Sequence, residues 1–204
     1  MVCAIISVGC KEPTREEKEF QSAKKLAEMG ACVVDADAIS RDCTATNGAA
    51  LPAIRAAFGS ALFSRDGELD RRQLRSMVFE DASARKSLES ILHPLIAAEI
   101  DRQTALAQAR GVTCIAFDIP LLVESPRWRK NLDRVLIVDC KEQTQIERVM
   151  QRSGLEHVEV QQIMAAQSLR RTRLQAADFV LFTDAANLGE VKATLSAMRP
   201  FFGL

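Results

Sequence analysis

Four groups of residues in this chain have types and spacing that could do chemistry. The first is Asp35-Ala36-Asp37, which closes the apolar run Ala31–Asp35. A carboxylate at the carboxyl end of a strand can orient or deprotonate a hydroxyl nucleophile, although an Asp there can equally cap the following helix. The second is His93-Pro94 inside an apolar helix. Pro94 removes a helical N–H and crowds the carbonyl of Ser90, so a kink is expected, and His93 reads either as a packed structural residue or as a side chain aimed at the strand ends. The third runs from Phe117-Asp118 through Ile119-Pro120-Leu121-Leu122-Val123 to Glu124. Asp118 either caps a turn or stands over a proline-stiffened apolar loop that forms floor and wall for an organic ligand. The fourth is Arg148 and Arg152, four apart on one helical face, with Arg170, Arg171 and Arg173 on the next helix. Arginines so placed are a solvated face or a cationic lid. Phosphoryl transfer needs the latter, because guanidinium groups stabilise charge spread over the phosphoryl oxygens.

These groups must be positioned by regular elements, and the pattern supplies them. Val2–Val8, Ala31–Asp35, Val112–Asp118, Arg134–Asp139 and Phe179–Thr183 are short, continuous, β-branched runs. Runs of that kind are strands covered on both faces, as in a parallel sheet. Helical spacing fills the gaps over about residues 16–29, 143–152, 158–177 and 187–198. A longer helix begins after a plausible N-cap at Asp81 and carries Leu88, Ile91, Leu92, Leu95, Ile96 and Ile100 as its apolar stripe. The alternation predicts an α/β fold with a doubly wound parallel five-stranded sheet. Ligands in such folds sit at the carboxyl ends of the strands, here Gly9, Asp35–Asp37, Asp118 and Asp139.

Composition narrows the partners. The 204 residues are 48% hydrophobic and 26% charged, with 27 basic and 27 acidic side chains. No net field favours nucleic acid or an anionic membrane. The cysteines Cys3, Cys10, Cys32, Cys43, Cys114 and Cys140 have no C-x-x-C spacing, and His93 and His157 are the only histidines, so reduced thiols and no metal site are expected. Val2–Val8 is too brief for a signal peptide or membrane span, and a cytoplasmic location is expected.

The motifs taken in order resemble the dephospho-coenzyme A kinases, a family of P-loop kinases. The similarity runs through Val33–Arg41, Ala53-Ile54 with Phe58-Gly59, Asp66–Arg71, Val78-Phe79, Leu92–Ile96, Asp118–Glu124, Arg134–Asp139, Gln145–Arg152 and Ala165–Gln167. The resemblance implies one P-loop nucleoside-kinase-like domain over residues 1–204. A helical acceptor-binding region would span about 40–108 and a helical lid about 143–177. It implies ATP, with Mg²⁺, as phosphoryl donor and the ribose 3′-hydroxyl of dephospho-coenzyme A as acceptor, in the last step of coenzyme A synthesis. By the same resemblance Asp37 takes the hydroxyl proton and Arg148 acts on the phosphates in catalysis. His93, Asp118, Leu121, Glu124 and Arg152 then belong to substrate binding.

One segment departs from that pattern. The family's first strand runs into G-G-I-G-S-G-K-S/T, whose glycines let backbone N–H groups curl around phosphate. Here it runs into Gly9-Cys10-Lys11-Glu12-Pro13-Thr14-Arg15-Glu16-Glu17-Lys18-Glu19-Phe20. Gly9, Lys11 and Lys18 are the candidates left for a nucleotide, while Pro13 lacks an N–H and the four glutamates oppose a polyphosphate. A second departure is Thr183-Asp184-Ala185, where the family has a glycine-containing turn. Three readings stay open on the sequence: an active kinase with an unorthodox donor loop, a relative that binds coenzyme A-type ligands without transfer, and a local reading-frame disturbance near residues 9–25.

Overall fold

The computed structural model describes residues 2–7, 22–118, 131–154, 156–165, 169–184 and 188–204. Five strands carry the sheet: β1 (Val2–Ser7), β2 (Cys32–Asp35), β3 (Ile115–Asp118), β4 (Arg134–Asp139) and β5 (Phe179–Phe182). Their order is β2-β3-β1-β4-β5, and β1 pairs in parallel with β3 and β4, as β4 does with β5. The expected doubly wound parallel sheet is therefore present. Every residue of β4 from Val135 to Asp139 is buried, which is why that run shows no alternation.

By internal contacts the chain divides into two compact units, residues 1–34 with 107–204 and residues 35–106. The first holds β1, β3, β4 and β5 with α1 (Ser22–Glu28), α6 (Glu142–Ser153), α7 (His157–Ala165), α8 (Arg170–Gln175) and α9 (Leu188–Ala197). Its core joins Leu26 of α1, Leu136 and Val138 of β4, Leu181 of β5, Leu195 of α9 and Phe202. The second holds α2 (Ala36–Cys43), α3 (Leu51–Phe58), α4 (Arg71–Glu80) and most of α5 (Ala82–Ala109). Ile39, Ile54, Leu62, Leu74 and Ile100 are among its buried residues. Asp70 caps α4 by accepting from the Gln73 N–H at 2.9 Å, and Arg55 stacks on Phe63 with 4.1 Å from its guanidinium carbon to the ring centre.

Three boundaries differ from the sequence expectation. The third strand begins at Ile115 rather than Val112, because the Val112 N–H is used to close α5 on the Ala107 carbonyl at 3.1 Å, with Gly111 in the left-handed region that such a closure requires (φ 71°). The helix expected over 158–177 is two, α7 and α8. The first helix is described only from Ser22, and the part expected over 16–21 lies outside the described residues. Asp81 does sit at the head of α5, accepting from the Ser83 N–H at 2.7 Å, and α5 continues as helix through Pro94. Cys114 and Cys140 are buried, Cys32 and Cys43 half-buried, and all four are free thiols, in keeping with their reading as small core residues. Among the described residues no helix is long and apolar enough to cross a membrane.

Candidate active site

The sheet order places a ligand crevice before any side chain is considered. The strand that follows β1 lies on one side of it, and the strand that follows β4 lies on the other, so the crevice of the doubly wound fold opens at the carboxyl ends of β1 and β4. Asp139 is the last residue of β4, and its side chain is 5% exposed. Arg170, the first residue of α8, forks onto it: Nε lies 3.1 Å and Nη2 2.5 Å from Asp139 Oδ2. Hydrogen bonds from Arg170 to this carboxylate hold the guanidinium still more firmly protonated. Arg170 and Arg173 then line a cavity of about 300 Å³, walled by Glu142 and Ile146 of α6 and Gln161 and Met164 of α7.

The neighbouring strand end is tied to the same place. Beyond β5, Thr183 donates from its N–H to the Asp139 carbonyl at 2.8 Å, and its hydroxyl donates there at 3.2 Å. Arg148 of α6 donates to the Thr183 carbonyl at 3.1 Å and to its Oγ1 at 3.4 Å. Next in sequence, Asp184 accepts from the Lys141 N–H at 3.2 Å and from the Thr144 hydroxyl, and its other oxygen meets Lys141 Nζ at 3.0 Å. These donors, the Thr144 hydroxyl first, pull the Asp184 carboxyl down to about 2. Lys141 stands at the N-cap of α6 and offers no side-chain acceptor of its own. The carboxylate of Asp184 serves instead, from the end of β5. At its other end α6 stops at Gly154, whose left-handed conformation (φ 63°) closes the last turn.

Asp118 ends β3, opposite Ile5 of β1, half-buried and with its Oδ1 shielded from solvent. In the second unit the Asp35–Asp37 pair resolves into two roles. Asp35 is the N-cap of α2, accepting from the Ala38 N–H at 2.9 Å and lying 3.8 Å from Arg41. Asp37 stands half-buried in the first turn of the same helix. His93 is exposed on α5.

Of the residues singled out in the sequence, Arg148 and Arg170 converge on the β4 and β5 ends through Thr183 and Asp139. Arg152 lies on α6, its side chain outside the description. Gly9, Lys11, Lys18, Leu121 and Glu124 all lie outside the described residues. Sequence reasoning missed Thr144, Thr183 and Asp184. The signal was available in Lys141: a helix that starts behind a lysine has no cap of its own and needs an acceptor from elsewhere.

The described residues suit a polyanion through Arg148 and Arg170. They contain no group of three His, Cys, Asp or Glu side chains that could cage a metal.

A family profile described as dephospho-CoA kinase matches residues 20–188. The chain belongs to the dephospho-CoA kinase family. The match opens at Phe20, the last residue of the departing segment 9–20, and takes in every side chain of the β4–β5 network. A dephospho-CoA kinase of Albidiferax ferrireducens is 50% identical over 179 residues, 88% of this chain and 84% of the relative. A crystal structure from Thermus thermophilus superposes with a TM-score of 0.77 at 27% identity, covering 98% of this chain and 97% of the other. A dephospho-CoA kinase from Campylobacter jejuni gives 0.66 at 21% identity over 100% and 98%, and speaks for the fold. In this kinase-family chain the resemblance gave Arg148 to the phosphates, and the structure puts its guanidinium on Thr183.

Proposed function

We propose that this chain transfers the γ-phosphoryl group of ATP, with Mg²⁺, to the ribose 3′-hydroxyl of dephospho-coenzyme A. Family membership supports the reaction, and one observation supports the residue assignment. Asp37 stands half-buried in the first turn of α2, directly beyond the carboxyl end of β2, with Asp35 before it as the N-cap. Asp37 then accepts the hydroxyl proton as the new O–P bond forms and the bond to the β-phosphate oxygen breaks. Arg170 and Arg148 supply cations to the ATP phosphates, and a bound Mg²⁺ would supply further positive charge there. Asp118, His93, Leu121, Glu124 and Arg152 are assigned to the acceptor and its phosphates.

Titration calorimetry with ATP–Mg²⁺ and, separately, with dephospho-coenzyme A tests this reading, followed by a coupled assay for ADP. Binding of both with turnover is the expected outcome, with a high KM for ATP because residues 9–20 lack the glycine cradle. Binding of dephospho-coenzyme A alone, without turnover, would overturn transfer and leave a ligand-binding relative.

A further inference from the structure

We propose that Asp184 is a positioning residue that sets the place of Arg148 by capping α6 from the end of β5. The role rests on the kinase reading above for its catalytic meaning and on the contacts of one closed ring for its geometry. Asp184 accepts from Thr144 and from the Lys141 N–H. Thr144 and Arg148 are one helical turn apart, on the same face of α6. Arg148 donates to both oxygens of Thr183. Thr183 is joined to Asp184 by the chain itself, so the ring returns to its start, and its Thr144 and Arg148 links are part-buried.

Each member fixes a freedom that the others leave. An arginine carries several rotatable bonds and would ordinarily sample many positions. Here the carbonyl of Thr183 holds its head, and the first turn of α6 holds its base. That first turn would fray without an acceptor at its N-terminus, since Lys141 supplies none. The Asp184 side chain is 7% exposed, whereas its ionic partner Lys141 Nζ belongs to a side chain 70% exposed. The hydrogen bonds accepted by Asp184, rather than the surface charge pair, therefore carry the effect. The ring also reaches Arg170, because Thr183 holds the Asp139 carbonyl while Arg170 holds the Asp139 carboxylate.

The test uses Asp184→Ala and Asp184→Asn, each read first by NMR of the Arg148 guanidinium signals, which needs no turnover. Asn keeps an oxygen that accepts from Lys141 N–H and Thr144 and discards the charge. The expected result is a distinct, slowly exchanging Arg148 signal in the unaltered chain and in Asp184→Asn, and its loss in Asp184→Ala. Kinetics then form a cycle with Arg148→Ala. Asp184→Ala should lower kcat/KM for ATP roughly tenfold alone and less than twofold on an Arg148→Ala background, the non-additivity of residues acting through one another. An Arg148 signal unmoved by Asp184→Ala, an Asn variant as impaired as the Ala variant, or additive losses would each overturn the proposal. Absence of turnover in the unaltered chain would instead count against the kinase reading, with the Arg148 signal still deciding the ring.

Discussion

The two units solve the same problem, a carboxylate at the end of a strand, in opposite ways. At the end of β2, Asp35 and Asp37 are two residues apart and divide the work locally. One caps α2 and the other stands in its first turn. At the ends of β4 and β5 nothing is local. Asp139 is held by an arginine 31 residues away, and Asp184 caps a helix that begins about 40 residues before it. Local division sets two carboxylates in one helical turn, while long-range sharing fixes cations and strand ends relative to one another. Under the proposed reaction the first would serve as a base on the acceptor side and the second as placed positive charge on the donor side.

The sharpest way to break this comparison is at Asp37. If it takes the hydroxyl proton, Asp37→Ala should reduce kcat by about 100- to 10,000-fold, the usual range for a general base. KM for either substrate and the melting temperature should move little. A loss confined to KM would show that Asp37 binds rather than deprotonates. A large fall in melting temperature would show that the division of labour between Asp35 and Asp37 is wrong.

Next in size is Arg170→Ala. It strands the Asp139 carboxylate at the buried end of β4, and breaking one side of such a pair leaves an uncompensated charge. A stability loss of about 3 kcal/mol by denaturant titration is expected. Asp139→Asn should cost less, because an amide oxygen still accepts from the guanidinium and the charge left unpaired is that of Arg170, on a side chain 39% exposed. Equal losses would mean that packing, not charge, makes this strand end.

A smaller effect belongs to Asp35→Ala. Loss of an N-cap costs about 1 kcal/mol of stability, and kcat should fall by less than half if the side chain has no part in proton transfer. Asp35→Ala and Asp37→Ala are thus expected to be mirror images, one visible in stability and the other in turnover. A kcat deficit in both would place the pair together in the chemistry.

These contrasts follow what was legible in the sequence. Strands whose residues are buried on both faces announce themselves, so β4 was read to the residue, Arg134–Asp139. The β3 start was misplaced because Val112 has a strand former's side chain and a helix closer's N–H, and only tertiary context chooses between them. In the candidate site, Asp37, Asp118 and the arginines of α6 and α8 were readable as residue types at strand ends and helical spacing. Which of Asp35 and Asp37 caps α2 was not readable, since both carboxylates are chemically able to do it. The Asp184–Thr144–Arg148–Thr183 ring was invisible for a different reason. Its partners are far apart in sequence, and the absence of a glycine from 183–185 looked like a loss when it brings in an acceptor.

The smallest effects separate the two regions by acid and salt. Each has a carboxyl held at about 2: Asp184 by the Thr144 hydroxyl and Lys141, and Glu99 by Arg102 and Gln103 on the same face of α5. A carboxyl depressed in the folded state contributes stability that is complete above its ordinary range and is lost as pH falls through its folded value. Both contributions should therefore survive at pH 5 and fade between about pH 4 and pH 2. Salt should distinguish them. Glu99 answers an arginine one turn away whose side chain is 59% exposed, and at 1 M salt the screening length falls to about 3 Å. Asp184, whose own side chain is 7% exposed, owes its shift first to the Thr144 hydroxyl, a neutral donor that salt does not screen. Stability measured against pH at 0.1 M and 1 M salt should lose the Glu99→Gln difference at the higher salt and keep most of the Asp184→Ala difference. If salt removed both alike, the clamp at the end of β5 would be a surface ion pair with Lys141, and its capping of α6 would not be what holds Arg148.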